Sequence, residues 1–208
     1  MAGDAARATD MISLPPDVAA LMAERPASPG RRATEPLLGT STHCDLFNYW
    51  SSLPRQHGVP KASGFNPMEL RHLLPEMAML SMIGTEEIIQ RLVGTGIAER
   101  LSYDATGTNL LDYIDGSYRR QCSRDMHEVV HRPCGWQVRY LTEYVTGRIA
   151  FVQSIYLPLH APDGQRPRIV SVHDREEAIE YRAPSGKPVF AREITDMVWI
   201  DIGFGVPG

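Results

Sequence analysis

Trp136-Gln137-Val138-Arg139-Tyr140-Leu141-Thr142-Glu143-Tyr144-Val145-Thr146-Gly147-Arg148-Ile149-Ala150-Phe151-Val152-Gln153-Ser154-Ile155-Tyr156-Leu157 reads as two β-strands folded back on each other. Apolar and polar residues alternate with a period of two on both sides of Thr146-Gly147, a dipeptide suited to a tight hairpin turn. A two-residue turn there sets Tyr144 against Ile149, Thr142 against Phe151, Tyr140 against Gln153, Val138 against Ile155 and Trp136 against Leu157. That register gathers the apolar set on one face and leaves Gln137, Arg139, Glu143 and Ser154 on the wetter one. Gln153 is then the odd member, a primary amide on the inward side beside Tyr140. A buried amide needs partners. Either the Tyr140 hydroxyl or helix backbone supplies them, or Gln153 is a polar anchor inside a ligand pocket between sheet and helices.

Outward from the hairpin, the chain alternates between two periods. Residues 117–132 form a helical pattern stopped by Pro133, with Tyr118, Cys122, Met126, Val129 and Val130 in one stripe. Residues 95–101 and 108–113 read as shorter helices. Residues 77–83 and 87–93 read as strands joined at Gly84-Thr85, and 168–178 as a further strand after the turn at Pro162-Asp163-Gly164. Upstream, 41–53 carries Leu46, Phe47, Tyr49, Trp50 and Leu53 at helical spacing. Asn66-Pro67 starts another helix, Asn as cap and Pro at the first position, closed by Pro75. The expected organisation is a flexible arm (1–40), flanking helices (41–75), a core (76–178) and a C-terminal extension packing on the core (179–208). The fold class is α+β, a five-stranded antiparallel sheet with helices on one face.

This order resembles the PAS fold, in which the first two strands lie beside the last three and helices cross one face. Four segments are similar to the stand-alone PAS family common in alphaproteobacteria. They are Phe65-Asn66-Pro67-Met68-Glu69-Leu70-Arg71-His72-Leu73-Leu74-Pro75-Glu76, Arg91-Leu92-Val93-Gly94-Thr95-Gly96-Ile97-Ala98-Glu99, Thr106-Gly107-Thr108-Asn109-Leu110-Leu111-Asp112, and Trp199-Ile200-Asp201-Ile202-Gly203-Phe204-Gly205-Val206-Pro207. The resemblance covers roughly residues 44–208. It implies a sensory or adaptor module acting through other proteins, and it assigns no catalytic residue.

Composition narrows the classes further. The 208 residues carry a net charge of -4, against a binder that works by neutralising phosphates. The N-terminus lacks a basic start followed by an apolar run, and no stretch has the ~18 apolar residues of a membrane span. Cys44, Cys122 and Cys134 are widely spaced, which suits reduced thiols and a cytoplasmic location. Gly94-Thr95-Gly96-Ile97-Ala98-Glu99 nearly matches a dinucleotide fingerprint, yet Glu99 stands at its third glycine position and hairpins follow it. His127 and His131 lie four apart, but the helical wheel turns both away from the apolar stripe. An internal haem or metal therefore has no inward ligand there. The flavin-photosensor cysteine motif is absent too, so no cofactor and no metal are expected.

Ile97, Leu101, Cys122, Met126, Trp136, Tyr140, Phe151 and Gln153 are the candidate pocket residues, each inward by periodicity. Leu46, Phe47, Tyr49, Trp50 and Leu53 are the candidate interface, an aromatic stripe outside the core that either packs across a homodimer or folds back on its own sheet. Three functions follow: a sensor working through protein association with a signalling partner, a small-ligand-binding protein, and an enzyme using the cavity, for which no nucleophile or acid–base set is visible.

Overall fold

Proline and glycine divide the chain into short elements, and the computed structural model, which describes residues 14–24, 30–37, 40–162 and 165–208, follows that punctuation. The elements are α1 (Pro16–Met22), β1 (Arg31–Ala33), α2 (Ser41–Ser52), β2 (Arg55–Gln56), β3 (Val59–Pro60), β4 (Met77–Gly84), β5 (Glu87–Val93), α3 (Thr95–Leu101), α4 (Arg119–His131), β6 (Gly135–Glu143), β7 (Arg148–Leu159), β8 (Arg168–Tyr181) and β9 (Ile194–Ile200). Short 3-10 turns connect β3 to β4 and α3 to α4.

Capping explains the boundaries. Thr40 accepts from the Thr42 amide to start α2, which ends at Leu53, the residue before Pro54. The expected helix after Asn66 is instead a pair of 3-10 turns, Pro67–Leu70 and Leu74–Glu76. Asn66 still caps the first, accepting from the Met68 amide at 3.2 Å, but Pro75 removes a donor before a full helix can propagate. Gly94 opens α3 because the carbonyls of Leu74 and Pro75 occupy the place of its missing Cβ. Its glycine is there for close backbone approach, not for a phosphate.

The sheet has seven strands in the order β1-β9-β6-β7-β8-β4-β5. Neighbours are antiparallel except β1, which runs parallel to β9. The expected five-stranded sheet is present as β6-β7-β8-β4-β5, first two strands beside last three. The correction is at the β6 edge. The 179–208 extension supplies β9, which pairs along β6 from Gly135↔Ile200 to Tyr140↔Ile194. Part of the expected flexible arm supplies β1 and α1; residues 1–13, 25–29 and 38–39 of it, and Asp163-Gly164 of the expected turn, lie outside the described residues.

Both faces of the sheet are covered, where one was expected to be. On the inner face, α4 and its neighbours bury Met126 and Val129 against Trp136, Val138, Tyr140 and Tyr156. On the outer face, α2 and the following turns bury Leu46 and Trp50 against Ile155, Leu157, Val170 and Val172. Further out, α1 lies over α4 through Val18 and Leu21, with Glu24 paired to Arg120. That extra layer corrects the reading of His127 and His131. His127 is 2% exposed, donates from Nε2 to the Gly84 carbonyl (3.3 Å), and stacks on the half-buried His131 at 5.5 Å. The wheel puts His127 at the far flank of the apolar stripe and His131 almost opposite it, and cannot see what packs over them.

The hairpin register is also corrected. The Gly147 amide donates to the Tyr144 carbonyl and the Tyr144 amide to the Arg148 carbonyl, so the loop has three residues, with Gly147 at φ +78°. A type I turn closed by a left-handed glycine is the favoured three-residue hairpin connection. The pairing becomes Tyr140↔Val152, Arg139↔Gln153, Val138↔Ser154 and Trp136↔Tyr156. One residue of slip sends each affected β7 side chain to the opposite face.

Gly147 therefore carries both the turn and the register, and a Cβ there would meet the Arg182 carbonyl. Gly147→Ala is expected to cost more than 2 kcal/mol, whereas Gly107→Ala, at a similar φ of +84° but in open space, costs only about 1 kcal/mol. Urea denaturation of the two variants checks this, and equal losses would contradict it.

Candidate functional site

Between the inner face and α3, α4 and the 189–194 segment lies a cavity of ≈ 60 Å³. Ile97, Leu101, Cys122, Trp136 and Tyr140 line it, as periodicity suggested. Met126 is fully buried in the same core without lining the cavity. Phe151 and Gln153 are elsewhere. The corrected register puts both on the outer face, where Arg139 lies 3.7 Å over the Phe151 ring and Gln153 Nε2 donates to Glu176 Oε1 at 2.8 Å. The expected Tyr140–Gln153 contact does not form.

Tyr140 bonds instead to residues that the two-residue turn had turned away or that period-two reading had not singled out. Its hydroxyl lies 3.1 Å from Ser154 Oγ, which lies 2.8 Å from His173 Nδ1; His173 Nε2 lies 2.9 Å from Ser171 Oγ. Ser171 donates onward to the Ala78 carbonyl at 3.4 Å. With that donor committed, Ser171 accepts the Nε2 proton, and Nδ1 accepts from Ser154. The chain thus runs Tyr140, Ser154, His173, Ser171, every ring nitrogen used and the imidazole neutral. Burial, then the charges of Arg100 and His43, push the His173 pKa down to about 3. Burial likewise raises Tyr140 to about 12 and holds the Cys122 thiol far above its usual range, so neither ionises near neutrality.

Arg100 is a cation on the cavity wall. Its guanidinium is held by Glu76 at 2.6 Å and 2.5 Å and also meets the Tyr144 hydroxyl. Gln90 turns its amide to Thr108 Oγ1 at 3.1 Å. Two buried polar atoms of the lining, Trp136 Nε1 and Thr142 Oγ1, have no partner among the described residues.

A second polar chain lies on the outer face at the same strand positions. His43, fully buried, places Nε2 3.3 Å from the Gln153 carbonyl and 3.6 Å from Asp174 Oδ2, and its Nδ1 accepts from Gln137 Nε2 at 3.0 Å. The hydroxyls of Thr40 and Thr42 both donate to Asp174. Arg139 grips Glu176 in a bidentate pair at 2.6 Å and 2.7 Å. Ser154 and His173 face inward; their chain neighbours Gln153 and Asp174 face outward. The two networks are back to back.

The candidate interface is corrected by the same layer. Leu46 and Trp50 are fully buried on the chain's own sheet, and Trp50 Nε1 donates to the Pro158 carbonyl at 2.8 Å. Phe47, Tyr49 and Leu53 are half-buried against the same cluster. An apolar stripe demands burial without naming the partner, and the partner here is β7 and β8.

A family model described as PAS domain matches residues 39–173, nearly two thirds of the chain. The chain belongs to the PAS domain family. A crystal structure of a PAS domain from Colwellia psychrerythraea is similar at 13% identity and a TM-score of 0.40, covering 53% of this chain and 98% of that one. A search of curated proteins returns no match. PAS domains are in general sensory modules. No helix among the described residues is long and apolar enough to cross a membrane, and no group of metal-ligating side chains forms among them.

The neutral His173 makes stability depend on pH. Its folded pKa lies below the unfolded value, so the unfolded chain binds the extra proton, and stability is complete above about pH 6.5 and lost as pH falls. His131, lowered to about 4, acts in the same sense, while Asp125, raised to about 6, opposes them. Comparing variants isolates the one group. From pH 7.5 to 5, the wild type is expected to lose ~1–2 kcal/mol more than His173→Gln, measured by denaturant titration.

Proposed function

We propose that this PAS protein is a non-enzymatic sensory module, in which a small molecule in the inner cavity alters how α2 is held on the outer face, with output by protein association. The observation that carries this reading is the back-to-back pairing of the two polar chains. A ligand that pulls on Ser154 or His173 acts on β7 and β8 one residue from Gln153 and Asp174, which hold the first turn of α2. Backbone continuity makes the two sides move together.

The two ends of α2 are held differently. Thr40, Thr42 and His43 hold its start through hydrogen bonds, each worth about 1 kcal/mol net. Trp50 holds its end by burial and one hydrogen bond. Loosening the start bares Leu46 and Phe47 while Trp50 stays seated. That supplies a surface for a signalling partner or for a second copy of this chain, and it gives the stripe an intramolecular and an intermolecular role in turn.

Asp174→Ala removes the acceptor shared by Thr40 and Thr42. Amide exchange over residues 41–47 is expected to speed up at least tenfold, with residues 49–52 unchanged, and light scattering is expected to show self-association of the variant at lower concentration than wild type. Unchanged exchange in 41–47 would end this reading.

A further inference from the structure

We infer that the cavity takes an uncharged molecule of roughly four to six heavy atoms bearing one hydrogen-bonding oxygen or amide, which binds at the unpartnered Thr142 hydroxyl. The inference rests on the sensory reading of the same cavity and adds its ligand class.

Size sets the first limit. At ≈ 60 Å³ the space holds a few water-sized groups, since one water needs about 10–15 Å³ by this measure. Flavins, haem and other drug-sized ligands, which need at least about 300 Å³, are excluded from the cavity in this form.

Charge sets the second. Arg100 is already held by both oxygens of Glu76, and both nitrogens of His173 are engaged in the hydrogen-bond chain. A carboxylate or an ammonium would lose its hydration and find no free counter-charge on the described walls. A neutral ligand loses far less.

Polarity sets the third. Thr142 is 1% exposed and its Oγ1 has no partner among the described residues. A buried hydroxyl without a partner is costly, and one that borders a void is satisfied by whatever fills it. The same cavity is lined by Ile97, Leu101, Tyr144 and Phe190, apolar surfaces that accept a short aliphatic body. Trp136, whose Nε1 is the other unpartnered atom, sits six residues along the same strand, about 20 Å between backbone positions at ~3.3 Å per residue. A ligand of this size reaches one of the two, and Thr142, both donor and acceptor, accepts the wider range of groups.

Isobutyramide and isobutyrate have the same shape and differ in charge at pH 7.5. Titration of the wild-type chain, followed by NMR, is expected to show isobutyramide binding at least tenfold more tightly than isobutyrate. Thr142→Val should weaken isobutyramide at least fivefold, and Thr142→Ser, which keeps the hydroxyl, should retain it. Equal or tighter binding of isobutyrate, no binding of the amide, or indifference to Thr142→Val overturns the ligand class. Should the valine variant fail to fold, the amide–acid contrast in the wild type decides alone. Xenon separates the two levels: if xenon enters the cavity but the amide does not, the ligand class falls and the cavity reading stands. If xenon does not enter, the cavity reading falls with it.

Discussion

A left-handed residue at Gly147 sets the parity of everything that follows it. With three residues in the loop, the even-numbered side chains of β6 and β7 face α4 and the odd-numbered ones face α2. Strand side chains alternate strictly, so no local adjustment can move one residue across without a bulge. The inner face, which β6 supplies with Trp136 and Tyr140, thereby receives Ser154 and Tyr156 from β7, aromatic rings and hydroxyls that leave a cavity between them. The outer face receives Ile155 and Leu157, aliphatic groups that close tightly against Trp50 and Leu46. One face is built to hold something small, the other to hold a helix.

That division shows what was legible in the sequence and why. The strands were, because Gly and Pro bracket each run and the alternation is strong. So were Ile97, Leu101, Cys122, Trp136 and Tyr140, whose positions depend on helix period or on β6 alone. Phe151 and Gln153 depended on the loop length, and Thr146-Gly147 suits a two-residue turn as readily as the end of a three-residue one. His173 was obscured by its neighbours, since Asp174, Arg175 and Glu176 give it the look of a solvated stretch. β9 was hidden for a different reason. It pairs with β6 across more than fifty residues, and no local pattern reports a long-range partner. Charge on α4 does not mean exposure: Arg124, Asp125 and Glu128 are buried. Arg124 pairs with Asp125 and Glu128 with Arg132.

The cavity's polar lining and its neutrality have one cause. Lone buried charges are costly, so each charged side chain that reaches the interior brings a partner, as Arg100 brings Glu76. Neutral groups are under a weaker constraint. Thr142 and Trp136 can remain unpartnered at a cost of about 1–3 kcal/mol each, which a ligand relieves on binding. On the proposed ligand class, a site that leaves its cost in neutral groups suits neutral molecules. The same chemistry keeps His173 uncharged, so the hydrogen-bond chain from Tyr140 to Ser171 keeps one direction through the pH range in which a cell lives.

Direction matters because the chain is the contact between the cavity and the strand that holds α2. Were His173 protonated, Nδ1 would become a donor, Ser154 would have to accept from it, and the Ser154 proton would need another acceptor. The inner network would rearrange without any ligand, and acidity would imitate the signal. A pKa near 3 prevents that. His43 adds to the protection from the other side of the sheet, since its own charge would raise the cost of charging His173. On the proposed function, ligand entry redirects the Tyr140 and Ser154 hydroxyls while the imidazole proton stays on Nε2. The imidazole is the fixed point beside two rotatable hydroxyls, and Asp174, the next residue on β8, accepts from Thr42 at the start of α2.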